Sequence, residues 1–224
     1  MKSVSMPLIL AMPLHRPFLR SSLVTLTVVV ALTSGCASAG ARGASAAPVG
    51  ILAMKHTPAD AEFMRGMIHH HAQAVLIAKW APTHGAGADL QRFAERVVVG
   101  QNDEIVTMQT WLRDKGEKVP DATPGPMRMT MNGMEHDMLM PGMLTDADLK
   151  QLDAQRGVAF DTLFLTFMIR HHEGAIDMVE SLFGSAGAAQ DETVFRFASD
   201  VVADQTTEIR VMKQMLEARR DAKR

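Results

Sequence analysis

The spacing of apolar positions divides the chain into amphipathic stretches of helical period, paired as two hairpins. Phe63, Met67, Ala74 and Ala78 recur at intervals of four and seven and form one stripe of a first helix. Its start is written at Thr57, Pro58 and Asp60: a capping hydroxyl, a proline at the first helical position and a carboxylate in the first turn. Pro82 and the glycines at 85 and 87 end it. A second helix, from about Asp89 to Lys115, turns Phe93, Val97, Ile105, Met108 and Leu112 inward and stops at Gly116. The later pattern predicts a helix from Asp161 to Gly184 and a last one from about Asp191 towards the C-terminus. Thr145, Asp146 and Asp148 cap an extra short helix broken near Gly157. No stretch shows strand-like alternation. The expected fold is all-α, an antiparallel four-helix bundle with short hairpin loops.

The two hairpins are one unit written twice. Asp60, Phe63, Met67, Ile68, His70, His71 and Ala74 recur as Asp161, Phe164, Met168, Ile169, His171, His172 and Ala175, at a constant offset of 101. Arg92, Phe93, Ala94, Val98, Gln101, Glu104, Ile105, Met108 and Leu112 recur at an offset of 104, ending at Gln205, Glu208, Ile209, Met212 and Leu216. Three extra residues therefore sit in the second hairpin's loop. So many matches in register mark an internal duplication. Repeat 1 covers 57–116, a Met-rich linker 117–144, and repeat 2 145–224.

The first 36 residues read as an export signal. Arg16 and Arg20 precede an apolar run from Leu23 to Leu32, followed by Thr33, Ser34, Gly35 and Cys36. The run is short for a permanent membrane span. Cys36, after Ser-Gly, is placed as in the lipobox of bacterial lipoproteins, so it is the expected lipidation site and membrane anchor. Residues 37–56, rich in Ala, Gly and Ser, read as a flexible tether. The expected location is the cell envelope.

Composition narrows the function. Of 224 residues, 47% are hydrophobic and 21% charged, which excludes a disordered or fibrous chain. A net charge of -2 leaves no electrostatic footprint for nucleic acid. The single cysteine excludes an intrachain disulfide framework and any cysteine-based zinc or iron–sulfur cage. Against that stand 18 Met, 9 His and no Tyr. Thioether and imidazole without thiol clusters point to soft-metal chemistry.

Three groups carry that chemistry. Adjacent helical residues point about 100° apart, so the two members of each His pair face different ways. Met67 shares a face with His70 or His71, and Met168 with His171 or His172. Each pair reads either as one core and one surface histidine or as metal ligands. His69 has Arg170 as its counterpart and is a lesser candidate. Gln101, Glu104 and Met108 share one face, as do Gln205, Glu208 and Met212; their expected role is to orient the histidines across the bundle. No Glu-x-x-His element occurs on either duplicated helix, which argues against a di-iron centre. In the linker, Met127, Met129, Met131, Met134, Met138, Met140 and Met143 fall within seventeen residues, with His136 and Asp137 among them. Pro126, Gly133, Pro141 and Gly142 bar a helical core stripe there. The segment reads as a Cu(I) or Ag(I) site, or alternatively as a plastic contact surface. A histidine site is expected to lose metal as pH falls through about 6.5, whereas a thioether site has no proton to gain.

Asp-x-x-Phe, Met-Ile-x-His-His-x-x-Ala, Gln-x-x-Glu-Ile-x-x-Met and the Pro-Gly-Met turn at 141–143 together resemble the bacterial family known as domain of unknown function 305, over about residues 58–218. The resemblance implies a ferritin-like bundle and, from its exported copper-binding members, binding of copper through Met and His. His70, His71, His171, His172, Met67 and Met168 are the positions that match its motifs. The expected function is Cu(I) or Ag(I) buffering or carriage without catalysis. A ferritin-like metallo-oxidase and a protein-interaction module gripping a partner through the Met-rich loop are the alternatives.

Overall fold

Two capping boxes start helices in the two halves of the chain: the Thr57 and Thr145 hydroxyls accept from the Asp60 and Asp148 amides, and each aspartate accepts in return from the threonine's amide. The computed structural model describes residues 56–221, residue 132 excepted. Cys36, the signal segment and nearly all of the tether lie outside the described residues. The elements are α1 (Pro58–Ala78), α2 (Ala88–Asp114), β1 (Met127–Met131), β2 (Met134–Met138), α3 (Asp146–Asp153), α4 (Gly157–Gly184) and α5 (Glu192–Asp221).

Four long helices make the bundle. α1 packs on α2, α4 on α5, and α1 on α4, with α3 laid against α4; α2 and α5 do not pack closely on each other. Two apolar clusters fill it, and each draws on both repeats. In one, Met64, Met67, Ile68 and Leu112 meet Val194 and Phe197; in the other, Leu90 and Phe93 meet Phe160, Phe164 and Met168. Phe93, Phe160 and Phe164 are fully buried, each contributing about 1.5–3 kcal/mol.

The duplicated aspartates explain why they recur. Asp60 accepts from the Ala189 amide at 2.6 Å, in the loop of the second hairpin. Asp161 accepts from the Gly87 amide at 3.2 Å, at the end of the first hairpin's loop, and from the Arg219 guanidinium at 2.8 Å. Each repeat thus ties down the turn of the other.

Two expectations are corrected. The linker is not without strands: β1 and β2 form an antiparallel hairpin in which Met127 pairs with Met138, Met129 with His136 and Met131 with Met134. Alternation is present in Met-Arg-Met-Thr-Met, and Asn132-Gly133 between the strands is the dipeptide favoured in two-residue hairpin turns. The third long helix starts at Gly157, four residues before Asp161, because Asp161 spends its oxygens on Gly87 and Arg219 instead of on a cap.

Candidate metal centre

The backbones of α1 and α4 carry the His pairs to the middle of the bundle. His70, His71, His171 and His172 are all buried, none more than 1% exposed, so neither pair divides into a core and a surface histidine. The His70 and His171 rings lie 3.8 Å apart between centroids, whereas neighbours within a pair are 6.2 Å apart. The arrangement respects the duplication. His71 Nε2 stands 2.8 Å from Glu104 Oε2, and His172 Nε2 stands 2.7 Å from Glu208 Oε2. The His172 contact is aligned as a hydrogen bond; the His71 contact is equally short but off the N–H axis.

These partners set the tautomers. The His70 Nε2–H donates to the Pro141 carbonyl at 3.0 Å, and the His172 Nε2–H donates to Glu208. Nδ1 of the neutral His70 ring is then a bare lone pair, the form that binds a metal. Among the described residues no hydrogen-bond partner reaches His70 Nδ1, His71 Nδ1, His172 Nδ1 or either nitrogen of His171. Gln101 and the Gln205 side-chain oxygen are equally buried and unpartnered. Buried polar atoms left this way cost about 1–3 kcal/mol each, and their concentration at one place makes it the candidate site of the bundle. Burial, with the neighbouring His71 charge, pushes the His70 imidazole down to about 3, and burial with the other histidines holds His171 well below the ordinary range. Both rings are neutral at any physiological pH. As they stand, among the described residues no three His, Cys, Asp or Glu side chains are arranged to hold a metal ion. Buried thioethers lie on the same helices and on their packing partners. Met67 and Met168 are fully buried one turn before the His pairs, and Met108 and Met212 are fully buried in the same two clusters.

The Met-rich linker closes over this centre. Gln73 holds it by two hydrogen bonds to the Leu144 backbone, at 2.9 and 2.6 Å. Gly142, at φ +74°, turns the chain directly against the α4 backbone at Gly174. Met140 lies over Gly66 of α1, one turn from His70. Met127, Met140 and Met143 pack into the core, while Met134 and Met138 are exposed. Met127, Met129, Met138, Met140 and Met178 together line a cavity of about 280 Å³ under the hairpin. His136 is exposed on β2, and His69 turns away from the other histidines to the Thr123 carbonyl at 2.9 Å. The linker methionines and the His pairs are therefore separate donor groups, joined at Met140 and Pro141.

On the opposite side of the His pairs, the gap between α2 and α5 is a groove of about 250 Å³ lined by Gln101, Glu104, Asp204, Gln205 and Glu208. Burial, with the charges of Glu104, Glu208 and Asp200, pushes the Asp204 carboxyl up.

The family model for the domain of unknown function 305 matches residues 60–216. The chain belongs to this family. Solved structures agree over nearly the whole of their own length. A family member from Streptomyces coelicolor, described as a candidate secreted protein, is 30% identical, with 72% of this chain and 93% of that one covered at a TM-score of 0.61. A family fragment from Deinococcus radiodurans is 26% identical, covering 73% and 98% at a TM-score of 0.60. CopM, solved with Cu(II) and with silver bound, is 25% identical, covering 71% and 96% at TM-scores of 0.53 and 0.52. No curated protein matches the chain. Family membership agrees with the ferritin-like helical bundle expected from sequence.

Three contributors escaped the sequence reading. Met178 lies seven residues after His171, two helical turns along one face, and that spacing was legible. Asp204, one residue before the duplicated Gln205, has Gly100 as its counterpart and so fell outside the repeat pattern. The Pro141 carbonyl is backbone and carries no residue-type signal at all.

Proposed function

We propose that this protein binds Cu(I), with Ag(I) as its soft analogue, and buffers or carries it in the cell envelope. The observation that carries the reading is the cluster of four buried histidines at the bundle centre, six of whose ring nitrogens form no hydrogen bond among the described residues, with His70 and His171 held neutral by burial and the buried thioethers of Met67 and Met168 on the same two helices. Neutral imidazole and thioether together suit a soft monovalent ion, and they match no hard cation. Silver bound to the relative CopM supports the same choice, and Cu(II) bound to it supports copper as the metal. The five-methionine cavity under the hairpin supplies a second, sulfur-only donor group. Glu104 and Glu208 orient His71 and His172 through their outer nitrogens. Export through the N-terminal signal, with a lipid on Cys36, completes the reading. Among the described residues no helix is long and apolar enough to cross a membrane.

The test is Cu(I) titration of matured protein under anaerobic conditions, with His171→Ala and with Met67 and Met168 changed to Leu. Loss of the tightest equivalent in both variants is the expected result. Unchanged stoichiometry and affinity in both would remove the bundle centre as the site. Release of Cys36→Ser from the membrane fraction checks the anchor separately.

A further inference from the structure

We infer that the groove between α2 and α5 is the mouth through which a cation reaches the buried imidazoles, with Asp204 drawing it in and Glu104 and Glu208 passing it on. The inference rests on the metal-binding reading of the His cluster and adds a route to it.

Buried on both α1 and α4, the histidines have no direct path to solvent along those helices. The bundle is unevenly closed, however. α1 contacts α2 and α4, and α5 contacts α4, but α2 and α5 stand apart and leave a groove of about 250 Å³. Its floor consists of Gln101 and Gln205, 3% and 2% exposed; both atoms of the Gln101 amide and the Gln205 oxygen have no partner among the described residues. Amide oxygens facing a groove can replace part of the hydration shell a cation sheds on its way in, while binding a soft ion too weakly to keep it from the imidazole and thioether donors inside. Its walls are Glu104 and Glu208, each about a quarter exposed, and each reaching a fully buried histidine within 2.8 Å. One carboxylate therefore meets both the groove and an imidazole.

Charge favours the direction. Asp204 lines the groove with the two glutamates; the recess adjoining it between the same helices adds Glu192 and Asp200, so five carboxylates face the gap against two cations, Arg96 and Arg196. A low-dielectric cleft lined by carboxylates concentrates cations and raises their on-rate. Gln101 with Gln205, and Glu104 with Glu208, are repeat equivalents that line one groove. The mouth therefore serves both His pairs alike. The methionine cavity under the hairpin has no comparable group of carboxylates: of its lining residues only Glu62 is charged.

Gly100 gives a clean test, because it lines this groove and a Cβ placed there meets nothing within 4 Å. Gly100→Trp fills the mouth from its rim and leaves every histidine, glutamate and core residue of the wild-type chain in place. Ser181→Trp plugs the methionine cavity instead. The readouts are Ag(I) uptake by stopped flow and Cu(I) release to a chromophoric chelator. Gly100→Trp should slow uptake and release together by about ten-fold and leave the equilibrium constant unchanged, as a raised barrier requires. Asp204→Lys should slow uptake by roughly three- to ten-fold and flatten its dependence on ionic strength. Normal rates in Gly100→Trp with slowed rates in Ser181→Trp would place entry under the hairpin and overturn the inference. Full binding with both rates unchanged in Gly100→Trp and Asp204→Lys overturns it as well, leaving the metal-binding reading intact. Wild-type protein that takes up neither ion overturns both.

Discussion

His70 and His171 lie closer to each other, across the two repeats, than either lies to its neighbour in sequence: 3.8 Å between ring centroids against 6.2 Å. Two imidazoles held so close inside a bundle cannot both carry charge, and burial, with the neighbouring His71, holds His70 down to about 3.

Stability of the metal-free protein follows from that depression. The unfolded chain takes up a proton at each of these histidines as pH falls through about 6.5. The folded chain does not take one at His70 until about 3. Between those values the unfolded state binds more protons, so stability falls with falling pH, and His70 alone removes about 2 kcal/mol by pH 5. Thermal unfolding of apo-protein should show Tm falling from pH 7 to pH 5. His70→Gln should reduce the slope. An apo-protein equally stable at both values would contradict the burial argument.

Much of this was legible in the sequence and some was not. The repeat offsets of 101 and 104 placed Met67 with Met168, and Gln101 and Glu104 with Gln205 and Glu208, because a duplicated chain folds into equivalent positions. The depth of the histidines was not legible. A His-His pair on one helix spans 100° of its surface, and only packing of α1 directly on α4 buries both members. The hairpin was written in Met-Arg-Met-Thr-Met and in Asn132-Gly133, but the density of methionine drew attention to ligand chemistry over period. Burial of Met127, Met140 and Met143 has no local signal, since it depends on where Gln73 fastens Leu144.

Gly174 fixes the height of the linker over the histidines. A Cβ at this position would run into the Pro141 carbonyl, which is backbone and cannot rotate away. Gly174→Ala should therefore destabilise the fold by about 2–3 kcal/mol, despite the better helix propensity of alanine. It should also displace the acceptor of the His70 Nε2–H and weaken metal binding. At Gly184, on the same helix, a Cβ meets nothing, and Gly184→Ala should be neutral or stabilising. Chemical denaturation of the two variants compares them directly.

Arg219 clamps the end of α5 to both hairpins. Its guanidinium donates to Asp89 at 2.9 Å and to the buried Asp161 at 2.8 Å, and the hydrogen bonds from Arg219 hold the Asp89 carboxyl below its usual range. Arg219→Met keeps most of the apolar stem but strands Asp161, only 4% exposed, without its countercharge. The expected cost is about 3 kcal/mol. Adding Asp161→Asn should recover part of it, because a neutral amide can still pack against the Gly87 amide with less desolvation penalty. Equal stability of the single and double variants would mean that Asp161 is satisfied without Arg219.

The structure alters how the two donor groups can be told apart. Exposed histidines would release metal as pH falls through about 6.5, leaving only thioether-bound Cu(I) at pH 5. With His70 held neutral down to about 3 and His171 well below the ordinary range, these two rings keep their lone pairs at pH 5, and acidity does not separate them from sulfur. Substitution does. Met127, Met129, Met138 and Met140 changed together to Leu preserve apolar volume in the cavity they share with Met178 and remove four of its five sulfurs. Under the two-site reading this variant folds normally and binds one Cu(I) fewer than wild type at pH 7 and again at pH 5. Sulfoxide formation at the exposed Met138 should weaken the same equivalent, since the soft donor becomes a polar oxide. Loss of all bound copper in the Leu variant would move the whole site to the linker. Retention of every equivalent would reduce these methionines to packing, and leave His70, His71, His171 and His172 with Met67 and Met168 as the metal-binding set.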